Sequence, residues 1–329
     1  MKKFCVFGAG AIGGHLAGRL YKAGFDVSVV ARGPHLEAMK KNGLKVKLPD
    51  ETIEAKVRVA GNASELGPQD AVIVAVKAPA IPGTAKDVAT LLGPDTPVVY
   101  VLNGIPWWYH YGEKGANKDK RLPLLDADDA AWNAIGPQRV IGGIAWSSCT
   151  VTEPGVVFVE RNINRFVLGE PDGSISPRVQ EIARALEAGG VTAPVTARIR
   201  DNIWEKLVLN AATGPMSILV QAALRDLFAE TAAVDISRAM IAEGQAMARA
   251  MGCTTEPDKP FDFDAFLKQV GASKHKPSIL QDLELGRPME IDAIYEVPLQ
   301  MARAAGVPAP VSEMMVGLAK VRARAAGIY

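Results

Sequence analysis

The first half of the chain alternates short apolar runs with stretches in which apolar residues recur every three or four positions. This pattern predicts strands over residues 3–7, 26–30, 70–76 and 97–102 and a helix over residues 11–23. The runs DAVIVAV and PVVYVL are apolar throughout, as expected of strands that are buried on both faces of a parallel sheet. Alternating strands and helices indicate an α/β fold of the doubly wound, Rossmann type.

The pattern changes twice further along the chain. Residues 140–168 are rich in strand formers around Glu153-Pro154-Gly155, which predicts an antiparallel hairpin at the edge of the sheet. After residue 196 the strand signals stop, and helical spacing covers residues 199–230, 233–250 and 289–305, with Gly252, Gly286 and Gly306 as predicted stops. We therefore predict a dinucleotide-binding domain over residues 1–196 and a mainly helical domain over residues 197–329.

One segment of the first domain does not fit the alternation. Residues 105–136 contain the aromatic run WWYHY followed by the charged run EKGANKDKR. We interpret this segment as an insertion or lid.

Composition and charge exclude several classes of protein. Of the 329 residues, 48% are hydrophobic and 22% charged, and the net charge is +1, so neither nucleic acid nor an anionic membrane is an expected partner. Residues 207–224 are apolar, but Asn210 and the Gly214-Pro215 pair would be costly in lipid. The three cysteines have no metal-ligand spacing, which predicts reduced thiols, a cytoplasmic protein and no metal site.

The stretch FGAGAIGG follows the first predicted strand and opens the first predicted helix. Gly8, Gly10 and Gly13 have the G-x-G-x-x-G spacing, with Ala9, Ala11 and Ile12 between them. Such glycines allow a tight turn and let backbone amides approach a pyrophosphate at the positive end of a helix. The motif is weak alone, but its place in a βαβ unit predicts a dinucleotide site.

The second strand ends in VVARG, where NAD-binding proteins usually carry an acidic residue. Arg32 instead offers a planar cation to the 2′-phosphate of NADP. The alternative is a solvated arginine after a strand. We predict NADP (as NADPH) rather than NAD.

Five further motifs carry a resemblance to a known family. They are AVKAPA with Lys77, VLNGIP with Asn103, VVAR, WEKLVLN with Lys206 and Asn210, and PSILQDLELGRPMEID with Ser278 and Glu290. Together with FGAGAIGG, these motifs resemble the ketopantoate reductase (2-dehydropantoate 2-reductase) family, in the family's order and over nearly the whole chain.

The resemblance implies a function and a set of site residues. In the family, an N-terminal Rossmann domain binds NADPH, a helical domain closes over it, and ketopantoate is reduced to pantoate on the route to pantothenate and coenzyme A. It implies a catalytic role for Lys206 and for Glu290, which would contact the substrate hydroxyl or the cofactor ribose. It also implies substrate binding by Asn210 and, through the substrate carboxylate, by Ser278. Lys77 and Asn103 would lie at the nicotinamide end, Asn103 touching cofactor and substrate.

The chemistry of ketone reduction suits these residue types. Hydride addition leaves negative charge on the oxygen, which a lysine ammonium can stabilise and then protonate. Lys206 and Asn210 are spaced i, i+4 and share one helix face. Ser278 has an alternative role as a helix N-cap. We interpret Asp282 and Asp292 as structural residues and Trp204 as a core residue.

Two positions depart from the family pattern and leave the substrate open. Gly214 stands where an asparagine usually precedes the proline, and Tyr295 follows Ile294 where the family commonly reads I-N-G. Together with the aromatic run at residues 107–111, these changes predict a pocket for a bulkier or aromatic 2-oxo acid, unless other side chains restore the contacts to ketopantoate.

Two other classes of function remain as alternatives, and one partner is predicted. The alternatives are a related 3-hydroxyacid or opine dehydrogenase and a non-catalytic NADP(H) sensor, since fold alone does not separate them. The methionine-rich helical half predicts a homodimer.

Overall fold

The computed structural model describes residues 1–162, 164–258 and 260–329, and these divide into two compact units. Unit 1 comprises Met1–Leu102 and Trp107–Ile199, and unit 2 comprises Asn103–Pro106 and Arg200–Tyr329. Unit 2 therefore includes a short segment that the sequence pattern assigns to the N-terminal half.

Unit 1 contains eleven described strands in two sheets. They are β1 (Lys3–Phe7), β2 (Asp26–Val30), β3 (Leu44–Lys47), β4 (Thr52–Ala55), β5 (Arg58–Ala60), β6 (Ala71–Val74), β7 (Val98–Val101), β8 (Val140–Trp146), β9 (Cys149–Glu153), β10 (Val156–Val159) and β11 (Arg165–Gly169). The larger sheet has the order β5-β2-β1-β6-β7-β8-β11, and only the β8–β11 pair is antiparallel. The predicted doubly wound α/β fold is confirmed, and its strand order reverses between β1 and β6.

The predicted hairpin around Glu153-Pro154-Gly155 is present, but it does not extend the large sheet. β9 and β10 belong to a second sheet with the order β4-β3-β10-β9, in which β10 pairs in parallel with β3. The packing explains this placement. Val157 and Val46 of the second sheet lie against Gly14 and Gly18, where an added β-carbon would come within 2.8 Å and 2.5 Å of the valine methyl groups.

Twelve α-helices are described across the two units. Unit 1 contains α1 (Ala11–Lys22), α2 (Gly33–Asn42), α3 (Ile81–Ala89), α4 (Ala130–Ala134) and α5 (Pro177–Ala188), and Ile199 is the first residue of α6 (Ile199–Val220). Unit 2 continues with α7 (Leu224–Leu227), α8 (Thr231–Ala250), α9 (Phe263–Gly271), α10 (Ser278–Glu284), a π-helical turn (Asp292–Glu296), α11 (Val297–Ala304) and α12 (Pro310–Ala325). No helix in the described ranges has the length and apolarity needed to cross a membrane.

The three predicted glycine stops are confirmed. Gly252, Gly286 and Gly306 have φ values of 69°, 60° and 69° and lie two residues after the ends of α8, α10 and α11. A left-handed residue at this position is a common way to end a helix, and glycine adopts it without steric cost.

The aromatic run after β7 is part of the core of unit 1. Trp107, Trp108 and Tyr109 are almost completely buried, and the Trp107 ring packs edge-on against Tyr100 at a centroid distance of 5.5 Å. The Trp108 ring lies over Gly142 of β8, where a β-carbon would come within 2.8 Å of it. The prediction that these rings shape a substrate pocket is therefore wrong, because the large sheet buries them.

The helical unit has a core of its own, and its helices are joined by side-chain caps. Trp204 is fully buried, as predicted, and Met240 and Met247 are buried whereas Met314 is exposed. The Glu243 carboxylate on α8 accepts the first backbone N–H groups of α12, from Val311 at 2.9 Å and Ser312 at 2.8 Å. Carboxylates stabilise helix N-termini in this way. The buried methionines serve the core of this unit, and the homodimer stays a prediction.

A network of side-chain hydrogen bonds, largely buried, connects α1 to the segments on either side of the β9–β10 hairpin. The Arg19 Nε–H donates to His15 Nε2 at 3.3 Å, so Nδ1 carries the proton and faces Ser147 Oγ at 3.3 Å. The Ser147 hydroxyl donates in turn to Asn164 Oδ1 at 2.7 Å. Burial, together with the Arg19 charge, lowers the pKa of His15 to about 3. The folded protein therefore holds this imidazole neutral.

This pKa predicts how stability depends on pH. As the pH falls below the ordinary histidine pKa of 6.5, His15 becomes protonated in the unfolded chain. In the folded chain it stays neutral until about pH 3. Stability is therefore lost as pH falls through this window, with a slope of about 1.4 kcal/mol per pH unit from this one group. We expect His15→Gln to remove that part of the slope between pH 6 and pH 4, measured by denaturant unfolding. The control His275→Gln, at an exposed position, should leave the slope unchanged. Equal slopes for wild type and His15→Gln would contradict the interpretation.

Candidate active site

The turn between β1 and α1 contains three glycines with three different surroundings. Gly8 has a φ of 93°, and a β-carbon there would lie 2.6 Å from Val76 Cγ1. A β-carbon on Gly13 would overlap the Gly8 carbonyl oxygen. Gly10 is exposed, and an added β-carbon would meet nothing within 4 Å. Gly8 and Gly13 are thus required by the fold, whereas Gly10 leaves an open approach to the backbone.

The residues between these glycines present the start of α1. Ala9 is buried, and its N–H donates to the Val30 carbonyl oxygen at 3.3 Å. Ala11 and Ile12 form the first turn of α1, whose N-cap Gly10 offers no side-chain acceptor and whose first turn has no acidic residue. The first N–H groups of a helix have no partner within the helix, and their partial positive charge suits a phosphate.

Two predicted cations follow the strands on either side of β1. β1 pairs in parallel with β2 and with β6, so the three strands end at the same edge of the sheet. Arg32 lies two residues after the end of β2, is exposed and caps α2 without a side-chain hydrogen bond. Lys77 follows β6 and is half-buried. The reversal of strand order lies here, which is where open α/β sheets bind ligands.

A histidine that the sequence did not indicate supports the glycine turn. The Gly155 N–H donates to His35 Nδ1 at 2.7 Å, so Nε2 carries the proton and donates to the Ala9 carbonyl oxygen at 2.5 Å. His35 therefore connects the β9–β10 turn to the glycine turn. Its sequence neighbours ARGP and LEA gave no signal for this role, because the partner residues are distant in the chain.

In unit 2, the helix α6 presents Lys206 and Asn210 one turn apart. Both side chains are half-buried, and Gly214 is the next residue of the same row. Four residues of an α-helix rise by about 6 Å, so a lysine and an amide at this spacing can reach one small ligand. Pro215 follows inside the helix, where it removes one backbone hydrogen bond.

Asn103 and Glu290 are brought together within unit 2. The Asn103 side-chain amide donates to Glu290 Oε2 at 3.3 Å, and Glu290 is only 7% exposed. The backbone beside Asn103 is fixed as well, since the Ile105 N–H donates to the Ala293 carbonyl oxygen at 2.8 Å. Gly104, with a φ of 78°, packs so closely on Ala293 that a β-carbon would overlap the Ala293 backbone.

The π-helical turn after Glu290 is held at both ends by side chains. Asp292 accepts from the Tyr329 hydroxyl at 2.7 Å, and Glu296 forms an ion pair with Lys320 at 2.7 Å. Asp292 thus has a hydrogen-bonding role in the fold. Between these anchors, Tyr295 is buried. A π-helical turn is rare and is frequently found at functional sites.

Ser278 is the first residue of α10, and its side chain is exposed. Pro277 occupies the N-cap position, so the alternative role of Ser278 as the N-cap is wrong. The next residue, Ile279, lies beside α6, because a β-carbon on Gly214 would come within 3.3 Å of Ile279 Cγ2. The start of α10 therefore lies near the row that contains Lys206 and Asn210. The carboxylate-binding role of Ser278 stays a prediction.

The two departures from the family pattern contact each other. A β-carbon on Gly214 would overlap the Tyr295 hydroxyl oxygen and lie 3.1 Å from Tyr295 Cζ. The space that a side chain at position 214 would occupy is therefore filled by the Tyr295 ring. The prediction of a larger pocket at this position is wrong.

The arrangement can perform a specific kind of chemistry. In unit 1, the N-terminus of α1 can bind a phosphate group, and Arg32 and Lys77 follow strands that end at the same edge of the sheet. A dinucleotide requires such an arrangement. Unit 2 offers an ammonium, two amides and a buried carboxylate, which can polarise a carbonyl oxygen, protonate it and bind the neighbouring groups of a small molecule.

Two family models match the chain, one for each half. "Ketopantoate reductase PanE/ApbA" matches residues 4–173, and "Ketopantoate reductase PanE/ApbA C terminal" matches residues 198–323. The 2-dehydropantoate 2-reductase of Mesorhizobium japonicum is 40% identical to the chain, over 99% of each sequence.

Solved structures agree with this result. A Ralstonia solanacearum protein described as a ketopantoate reductase has a TM-score of 0.91 and 34% identity, with 100% of each chain covered. D-Mandelate dehydrogenase, solved with NADH and anilino(oxo)acetate, has a TM-score of 0.81 at 19% identity, covering 99% of this chain and 100% of that one. The second likeness concerns the fold alone.

The contrast between Gly10 and Gly13 gives a test of the glycine turn. Gly10→Ala should leave the thermal unfolding temperature within about 2 °C of wild type, because the added methyl meets nothing. It should nevertheless weaken dinucleotide binding about tenfold or more, because the methyl stands where the pyrophosphate approaches. Gly13→Ala should lower the unfolding temperature by several degrees, because it overlaps the Gly8 carbonyl. Thermal scans and titration with NADPH fluorescence would measure both. Unchanged NADPH affinity in Gly10→Ala would exclude this turn as the binding site.

Proposed function

The chain belongs to the ketopantoate reductase family, and we propose that it reduces ketopantoate to pantoate with NADPH, a step of pantothenate biosynthesis. The observation that carries the proposal is the pairing of Asn103 with Glu290 in the unit that also contains the Lys206–Asn210 row. These residues come from separate motifs, and their roles in the reaction are part of the proposal. A nicotinamide-dependent sensor without activity would not need a proton donor.

Separate groups of residues are proposed for the cofactor and for the substrate. The glycine turn of unit 1, lined by Ala9, Ala11 and Ile12, would hold NADPH, which would supply the hydride when bound. In unit 2, Lys206 stabilises the negative charge that develops on the substrate oxygen and then protonates it. Asn210 orients the same end of the substrate by hydrogen bonding.

The remaining polar residues position the substrate and the lysine. Ser278 binds the substrate carboxylate with its exposed hydroxyl. Glu290 is buried, so the electrostatic attraction between its carboxylate and a nearby cation is weakly screened by water. This attraction can hold the Lys206 ammonium in place. Asn103 keeps the Glu290 carboxylate oriented. Lys77, which follows β6 in unit 1, is a further residue proposed for the cofactor.

The preference for NADPH over NADH rests on Arg32. Its guanidinium is exposed at the end of β2, where no acidic side chain competes for the ribose hydroxyls. A planar cation can donate two hydrogen bonds to the 2′-phosphate of NADPH. NADH has no 2′-phosphate and cannot make this contact.

The location and the assembly stay predictions. We expect a cytoplasmic enzyme, as suits a biosynthetic reductase in which Cys5, Cys149 and Cys253 form no disulfide. We also expect a homodimer, for which light scattering at micromolar concentration is the measurement.

Lys206→Ala tests the proposed proton donor. We expect kcat with NADPH and ketopantoate to fall by about a hundredfold or more, because the developing charge loses its positioned acid. NADPH affinity should change little, since Lys206 is proposed to contact the substrate and not the cofactor. Lys268→Ala, at an exposed position of α9, is the matched control and should keep normal turnover. Near-normal turnover in Lys206→Ala would remove this residue from the reaction.

Arg32→Ala tests the cofactor preference. The KM for NADPH should rise at least about tenfold, while the KM for NADH stays within about twofold, because only NADPH loses a charged partner. Arg184→Ala, an exposed arginine of α5 in the same unit, serves as the control for net charge. Equal increases for both cofactors would show that Arg32 does not read the 2′-phosphate.

A further inference from the structure

The Tyr295 hydroxyl is a buried polar group without a hydrogen-bond partner among the described residues. The side chain is 2% exposed, and its oxygen has no donor or acceptor within reach in that part of the chain. A buried polar group that makes no hydrogen bond costs free energy of folding. A phenylalanine would fill the same volume without this cost, so the hydroxyl calls for an explanation.

The position of this hydroxyl connects it to the residues proposed for the reaction. It occupies the space above Gly214 on α6, one turn beyond Asn210 and two turns beyond Lys206. Ile279, the neighbour of Ser278, approaches the same point. The oxygen therefore extends the row of polar groups that begins with Lys206.

The electrostatic surroundings define which group can bind there. Burial raises the pKa of Tyr295, and the negative charge of Glu290 raises it further, so the phenol stays protonated over the working range of an enzyme. The same conditions disfavour a substrate carboxylate at this point. A neutral hydroxyl suits it, because a phenol can both donate to and accept from one.

We propose that the Tyr295 hydroxyl binds the neutral hydroxyl group of the substrate and selects short 2-oxo acids that carry one. This inference rests on the proposed function and assigns the substrate contact to a residue outside the matched motif positions. Gly214 is required for this position of the hydroxyl, since any side chain at position 214 would displace the phenol. The polar contact removed at position 214 is thereby supplied from position 295.

Two substrates that differ in one hydroxyl provide the test. Ketopantoate and 3,3-dimethyl-2-oxobutanoate have the same carbon skeleton, and only ketopantoate carries the hydroxyl. With NADPH, the wild type should prefer ketopantoate in kcat/KM. Tyr295→Phe should lower kcat/KM for ketopantoate about tenfold and leave that for the second substrate within about twofold. Tyr100→Phe, which removes a buried phenol hydroxyl from unit 1, is the matched control and should keep the wild-type ratio.

The outcomes separate this inference from the proposed function. If wild type reduces ketopantoate but Tyr295→Phe keeps the wild-type ratio, the inference is wrong and the proposed function stands. If wild type reduces neither 2-oxo acid, the proposed function is wrong, and this inference fails with it.

A stability measurement tests the packing independently. Gly214→Ala should lower the unfolding temperature of the wild type by several degrees, and by less in the Tyr295→Phe background, where the overlapping oxygen is gone. Equal effects in the two backgrounds would show that the phenol does not occupy the space above position 214, and this would overturn the inference.

Discussion

One backbone hydrogen bond, from the Ile105 N–H to the Ala293 carbonyl oxygen, fixes the segment that contains Asn103 against the π-helical turn of unit 2. It forms only because Gly104 has no β-carbon and accepts a left-handed φ, so the two backbones can touch. The Asn103 side-chain nitrogen Nδ2 thereby lies 3.3 Å from Glu290 Oε2, although the two residues lie in opposite halves of the sequence. Without this contact, the amide and the carboxylate would belong to separate segments with no reason to meet.

The π-helical turn that receives this bond sets the direction of its side chains. Asp292 and Glu296 are held by Tyr329 and Lys320, which leaves Tyr295 on the buried side. The extra residue of a π-helical turn shifts every following side chain around the helix axis, which an ordinary helical spacing does not predict. The buried Tyr295 hydroxyl above Gly214 is a consequence of this local geometry.

The sequence predicted the features that depend on local pattern. The buried strands β6 and β7, the glycine turn and the glycine that ends α8 follow from hydrophobic period or from left-handed backbone requirements. Features that depend on distant partners were missed. The β9–β10 hairpin looks the same whether it joins the large sheet or pairs with β3, because pairing across the chain leaves no local signal. His35 likewise binds backbone atoms that any residue supplies.

Gly214 and Tyr295 show why departures from a family pattern must be interpreted as pairs. Considered singly, Gly214 loses a polar partner and opens space, while Tyr295 adds an apolar ring, and both arguments favour a larger apolar substrate. In the structure the Tyr295 hydroxyl fills the space beside Gly214, so no space is gained at position 214. Volume-conserving exchanges of this kind are tolerated in well-packed interiors, and their effects are coupled because the two sites touch. If Tyr295 supplies the contact to the substrate, the polar group comes from the π-helical turn rather than from α6. A buried hydroxyl next to a carboxylate discriminates between substrates more strongly than a methyl-sized cavity does, because an unsatisfied polar group costs more than a small void.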